Sequence, residues 1–111
     1  MSTAVIQASA FTADYEQCFA WYAEEAGEEV ARRFEDAVIA SLARLSLHPE
    51  LGRRRRFRHP RLAGLRSFRV ETPFNKMLLF YRVTDTHLEA WRLMHGSRDL
   101  SRRLLEPPGL D

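Results

Sequence analysis

Two consecutive segments with the apolar spacing of a helix, separated by one glycine, constrain the fold of this chain most. The first segment runs from Phe11 to Glu25, and its apolar stripe consists of Phe11, Tyr15, Cys18, Phe19 and Tyr22. The second runs from about Glu28 to Leu47, and its stripe consists of Val30, Phe34, Val38, Leu42 and Leu45. Gly27 is a natural helix break between them. The pattern predicts a helical hairpin, with Ser9 or Thr12 capping its first helix.

The second half of the chain carries three segments that are typical of strands. Residues 65–72 alternate between apolar and polar side chains, whereas residues 77–83 (MLLFYRV) are almost continuously apolar, as in a central strand. Residues 88–95 form the third segment, and turn residues separate all three. The segment 4–8 is compatible with one more short strand. A last short helix is predicted to reach Leu105, with Ser97 as its cap and Asp99 in its first turn.

Together these elements predict one α+β domain over residues 1–111. We expect a two-helix hairpin packed on a small, mainly antiparallel β-sheet, followed by a short C-terminal helix. The helices should cover one face of the sheet and leave the other face available for binding. The predicted core residues are Phe34, Val38, Leu42, Phe68, Val70, Leu79 and Tyr81.

Several protein classes are disfavoured by composition. The single cysteine, Cys18, excludes an intramolecular disulfide framework and a cysteine-rich zinc site. The histidines show no metal-ligand spacing, so neither a metal nor a cofactor is expected. The residues before Phe11 lack the features of a signal peptide, and no segment has the ~20 apolar residues of a membrane span. A cytoplasmic location is therefore expected.

The charge is distributed unevenly although the net charge is only +2. Residues 14–50 carry a net charge of −6, residues 51–82 carry +9, and residues 83–111 carry −1. The basic excess is concentrated in an arginine run, which we predict to lie in a loop from Gly52 to Arg61 because Pro60 and dense like charge disfavour regular structure. The run comprises Arg53, Arg54, Arg55, Arg56, Arg58 and Arg61. It could bind nucleic-acid phosphate, receive an acidic protein segment, or simply be solvated.

Four short motifs in this order resemble those of the RelE/ParE toxin superfamily. Pro49, Leu51 and Gly52 resemble its exit from the second helix, and residues 62–70 resemble its L-x-G-L-R-x-F-x-V strand. Residues 79–83 (LFYRV) and residues 93–100 (LMHGSRDL) are similar to the two motifs that follow. The resemblance covers nearly the whole chain and implies the toxin half of a type II toxin–antitoxin pair.

The resemblance implies one of two activities, and a partner antitoxin in both cases. Some members are ribosome-dependent messenger-RNA endonucleases, whereas ParE-type members act on DNA gyrase. An endonuclease would need a general base, a general acid and cations for phosphate, and the candidates here are His95, Arg98, Arg82 and Arg66. A structural role for His95, at the end of a strand, is the favoured interpretation.

One departure favours the ParE-like activity. The family's nucleases tend to place lysines, or a histidine or tyrosine near the chain end, around the cleavage site. Here the only lysine is Lys76, in a predicted turn, and no Tyr or His follows His95. We therefore expect a gyrase inhibitor, with a ribosome-dependent RNase and a non-toxic RNA-binding domain as alternatives. Given this resemblance, we expect the antitoxin to bind at the arginine run and Arg69.

Overall fold

A computed structural model describes residues 2–96 and 99–109 of the chain. One sheet contains five strands: β1 (Val5–Gln7), β2 (Arg53–Arg54), β3 (Arg66–Arg69), β4 (Met77–Val83) and β5 (Leu88–His95). Three helices accompany it: α1 (Ser9–Ala26), α2 (Glu28–Leu47) and α3 (Leu100–Leu105). Single 3₁₀ turns lie at Pro49–Leu51 and Pro60–Leu62. The predicted α+β class, with a helical hairpin and a short C-terminal helix, is confirmed.

The strand order across the sheet is β1-β5-β4-β3-β2, so β4 lies in the middle as its apolar sequence predicts. The pairs β2–β3, β3–β4 and β4–β5 are antiparallel, and the pair β1–β5 is parallel. A register shift between Phe80 and Tyr81 interrupts the pairing of β4 with β5. The sheet is therefore mixed but mainly antiparallel.

The helical hairpin is present as predicted, but its first helix is longer than predicted and has no side-chain cap. Helix α2 has the predicted boundaries, whereas α1 begins at Ser9 instead of Phe11 and ends at Ala26 instead of Glu25. Gly27 separates the two helices with a φ of 98°, a backbone conformation that favours glycine. The residue that caps α1 is Ala8, so the prediction of Ser9 or Thr12 as the cap is wrong. The reason is that β1 leads directly into α1, and the Ala8 N–H donates to the Ala90 carbonyl of β5. Sheet pairing therefore sets where this helix begins.

The main core lies between the helices and one face of the sheet. Of the seven predicted core residues, five are buried, namely Phe34, Val38, Val70, Leu79 and Tyr81, and Leu42 and Phe68 pack against them partly buried. The Phe34 ring is fully buried, with its centroid 4.8 Å from that of Tyr22 and 5.4 Å from that of Phe74. Of the α1 stripe, Phe11 is buried in this core, and Tyr15, Cys18 and Tyr22 pack against it partly buried.

The opposite face of the sheet is partly covered, contrary to the expectation that it would be open. A second buried cluster occupies it, formed by Leu62, Leu65, Leu78, Phe80, Met94 and Leu104. The physical reason is that β4 is apolar on both faces, so Leu78 and Phe80 also need cover. The 60–65 segment and α3 supply that cover.

The arginine run is also more ordered than the predicted loop. Arg53 and Arg54 form β2, which pairs with Ser67 and Arg66 of β3, and the Arg55 N–H donates to the Leu65 carbonyl. Pairing satisfies backbone groups that β3 would otherwise leave unpaired, while the charged side chains reach the surface.

Near the other end of the chain, Asp99 is the residue before α3, with a φ of 60°. The predicted cap Ser97 lies outside the described residues.

Candidate binding surface

Four cationic side chains surround a groove on the face of the sheet that carries α3. Its volume is about 580 Å³, and its lining residues include Arg53, Arg55, Arg69, Lys76 and His95. Ser67, Leu78, Gly96 and Leu100 complete the lining. Among the described residues, no Asp or Glu lines the groove, so it is a region of positive potential. We refer to it as the basic groove.

Strand register places the groove's side chains in rows. Arg53 of β2 lies opposite Ser67 of β3, and Arg69 lies opposite Leu78 of β4. Ser67 and Arg69 are two residues apart, so their side chains share one face at a spacing of about 6.6 Å along the strand. The cations therefore project from a paired sheet scaffold.

Arg55 is fixed at the wall of the groove. Its Nε donates to the Ser67 hydroxyl at 2.8 Å, and Ser67 is itself buried. Burial, together with the neighbouring charges of Arg53 and Arg69, lowers the pKa of Arg55. Burial is the largest of these causes, and a bound anion would offset the repulsion from Arg53 and Arg69.

The positive surface continues beyond the groove through shared arginines. A second depression of about 320 Å³ is lined by Arg54, Arg55 and Arg56 among others, and a third of about 760 Å³ by Arg56 and Arg58 among others. Arg55 joins the groove to the second depression, and Arg56 joins the second to the third. Within the part of the chain that the structure describes, no Asp or Glu lines either depression. We call the continuous surface the basic track: Arg53, Arg54, Arg55, Arg56, Arg58, Arg69 and Lys76.

Of the residues predicted for RNA cleavage, Arg66 and Arg82 do not line the groove that His95 lines. The Arg66 guanidinium donates to the carbonyls of Gly52, at 2.9 Å, and Glu50. The Arg82 guanidinium donates to the carbonyls of Ala63 and Arg61. Both arginines thus bind backbone of this chain.

His95 and Arg98 complete the predicted set. His95 is exposed and lines the basic groove, and its carbonyl accepts from Arg103. Arg98 lies outside the described residues. Of the arginine run, Arg61 is exposed and contributes a carbonyl to the Arg82 contact, but it does not line the three depressions.

A buried tyrosine fixes the start of the arginine run. The Tyr81 hydroxyl donates to the Pro49 carbonyl at 2.6 Å and accepts from the Gly52 N–H at 2.8 Å. Burial raises the pKa of Tyr81. A side chain at Gly52 would overlap the Tyr81 ring, so this position needs glycine. Together the two residues anchor the segment that leads into β2.

Comparison with known proteins identifies the family. The model of the family described as "ParE toxin of type II toxin-antitoxin system, parDE" matches residues 5–100. The chain belongs to the ParE toxin family. Among solved structures, the fold is similar to one titled "Chromosomal ParDE TA system from P. aeruginosa", with a TM-score of 0.70 and 17% identity. The match covers 86% of this chain and 98% of that one. A comparison with curated proteins gave no significant match.

In this ParE-family chain, the motif residues mainly serve the fold. Leu62 and Leu65 are buried under the sheet, and Gly64 between them has a φ of 78°. A Cβ added at Gly96 would lie only 3.1 Å from the Leu78 side chain, so a larger residue would crowd Leu78 in the lining of the groove. Over the described residues, no helix is long and apolar enough to cross a membrane, and no three potential metal ligands cluster.

A buried ion pair that the sequence did not predict joins α1 to β5. Asp14 of α1 and Arg92 of β5 form a two-point contact, with Nε to Oδ2 at 2.7 Å and Nη2 to Oδ1 at 3.1 Å. Arg92 also donates to the carbonyls of Leu104 and Glu106, and so holds the end of α3. The helix that borders the basic groove is thereby tied to α1. A buried position for a charge gives no local sequence signal, since α1 and β5 are far apart in the chain.

Proposed function

We propose that this ParE-family toxin arrests bacterial growth by binding and inhibiting DNA gyrase, and that a cognate antitoxin neutralises it. The observation that carries the proposal is the family match over residues 5–100. The side-chain arrangement supports a binding mode of action. Arg66 and Arg82, two cations that a nuclease site would need, are occupied by backbone carbonyls.

A ribosome-dependent endoribonuclease is the second candidate, because one observation favours it. His95 lines the basic groove beside Arg53 and Arg69, where a phosphate could approach an imidazole. In that mechanism, His95 would move a proton and Arg98 would assist, with the groove's arginines holding the phosphate. We place this candidate second since Arg66 and Arg82 do not line the groove. A non-toxic RNA-binding domain would be the outcome if expression leaves growth unaffected.

The antitoxin is proposed to lie across the helices and the sheet. A depression of about 210 Å³ on the helical side is lined mainly by apolar residues, among them Phe11, Val38 and the exposed Ile39. This depression suits an apolar anchor of the partner. The edge strands β1 and β2 can each accept an added strand. Acidic residues of the antitoxin would lie near the arginine run and Arg69.

Induced expression without an antitoxin tests this proposal in cells. Growth should stop, with DNA damage and filamentation as signs of gyrase inhibition, and co-expression of the neighbouring antitoxin gene should restore growth. Rapid translation arrest with site-specific cuts in translated message would instead support the endoribonuclease. Unimpaired growth, with folded protein confirmed in the cells, would refute both toxic activities.

A further inference from the structure

We propose that the basic track binds the phosphate backbone of a nucleic-acid duplex without reading its sequence. This proposal is independent of the gyrase target. Its basis is the concentration of nine lysine and arginine side chains along three joined depressions, the seven of the track together with Arg66 and Arg102. Among the described residues, no Asp or Glu lines these depressions. Phosphates carry one charge at each nucleotide, and neutralising them releases bound counterions, which drives association.

The form of the track suits a linear polyanion. Arg53 and Arg54 stand on β2, Arg69 stands on β3, and the Arg55 N–H pairs with the Leu65 carbonyl. The backbone that carries these four cations is therefore ordered before a ligand arrives, while Lys76 lies in the turn before β4. Arg55, held by Ser67, illustrates this order. Arg53, Arg55 and Arg69 line the same groove, and no Asp or Glu among the described residues lines it, so the unliganded track carries uncompensated repulsion. A repeating anion relieves that repulsion at several points at once, which a single small anion cannot do.

The chemistry of the track favours nucleic acid over an acidic protein segment. Protein interfaces bury apolar and aromatic anchors at their centre and have few charges there. The exposed large apolar side chains of the described residues are Ile6, Trp21, Ile39, Leu47, Leu51 and Val83. Only Val83 among them lines the track's depressions. An antitoxin would therefore find its apolar anchors elsewhere and meet the track only with peripheral charges.

A duplex is favoured over a single strand for a related reason. Proteins that bind single strands stack bases on aromatic side chains as well as holding phosphates. Among the described residues, Phe57 is the one Phe, Tyr or Trp that lines these depressions, and it is partly buried against the second apolar cluster. Without a stacking platform, the contacts that remain are to the backbone, which a duplex presents in a regular order.

The test is a binding titration of the purified chain with fluorescent oligonucleotides at several salt concentrations. The probes are duplex DNA, duplex RNA and single strands of equal length, and an acidic peptide of matched charge. The track variant combines Arg53→Ser with Lys76→Ser, two exposed residues. The matched control combines Arg32→Ser with Arg33→Ser, which removes the same charge from the exposed side of α2. Circular dichroism confirms that both variants are folded.

The expected result is duplex binding whose logarithmic salt slope lies at about −4 to −6 for four to seven phosphate contacts. The track variant should lower the magnitude of that slope by about 2 and weaken binding at low salt by at least about tenfold. The control should keep the wild-type slope. Equal binding of DNA and RNA duplexes would support recognition of the phosphate backbone. A preference for one of the two would identify which kind of duplex the track binds.

Three results would overturn the proposal. The first is no duplex binding at about 50 mM salt, where phosphate contacts are strong. The second is an equal loss of duplex affinity in the track variant and the control, which would show that binding depends on net charge and not on the track. The third is tighter binding of single strands or of the acidic peptide than of either duplex. None of these results bears on gyrase inhibition, since no gyrase is present.

Discussion

Removing the carboxylate of Asp14 should destabilise the protein more than any surface substitution. The side chains of Asp14 and Arg92 are each only 7% exposed, and the Leu93 N–H also donates to the carboxylate. Asp14→Ala would leave a buried guanidinium and a buried N–H without that acceptor. Breaking such a pair costs about 3–5 kcal/mol. For a domain of this size, that corresponds to a fall in the melting temperature of about 12–20 °C.

Urea unfolding followed by circular dichroism measures this cost, and a double variant tests its cause. Asp14→Leu combined with Arg92→Met replaces both charges by apolar side chains, so it should recover at least half of the lost stability. The matched control is Arg32→Ala, which breaks an ion pair that is about two-thirds exposed and should change stability by less than about 1 kcal/mol. An Asp14→Ala cost below about 1 kcal/mol would refute the reasoning.

Three further predictions concern the core, the cysteine and the arginine run. Phe34→Ala should cost about 3–5 kcal/mol in urea unfolding, because the ring is fully buried among aromatic neighbours; a cost near zero would refute that packing. Burial and, second, the charge of Asp14 raise the pKa of Cys18 to about 11. Alkylation at pH 8 should therefore be about 100-fold slower in the folded chain than in urea, and equal rates would contradict this. Replacing Arg53, Arg54, Arg55 and Arg56 together by serine should slow antitoxin association and flatten its salt dependence; an unchanged rate and slope would exclude the run as the landing site.

The elements with a long, regular pattern were predictable from the sequence. The helix α2, with 20 residues and one continuous apolar stripe, has the boundaries that its periodicity predicts. Strands β4 and β5 also match, because each has at least seven residues between clear turn signals. Their burial is dictated locally, by the side chains that they carry.

The elements that depend on distant partners were not predictable. Strand β2 has two arginines and forms only because β3 offers its edge. Residues 4–8 are compatible with a short strand, but their sequence does not indicate the parallel pairing of β1 with β5. The contact between Asp14 and Arg92 joins residues 78 positions apart. The basic groove, likewise, collects its cations from three separate segments of the chain. The sequence shows the charge excess, but only the sheet register shows which of those charges meet.

The supercoiling activity of purified DNA gyrase tests the central claim most directly. With relaxed plasmid and ATP, adding the toxin should abolish supercoiling in proportion to its concentration, and adding the cognate antitoxin should restore it. Asp14→Ala, tested at a temperature where it is unfolded, should leave the reaction unaffected and so serves as the control for added protein. Undiminished supercoiling at a large excess of folded toxin, together with site-specific cuts in ribosome-bound message, would contradict the account.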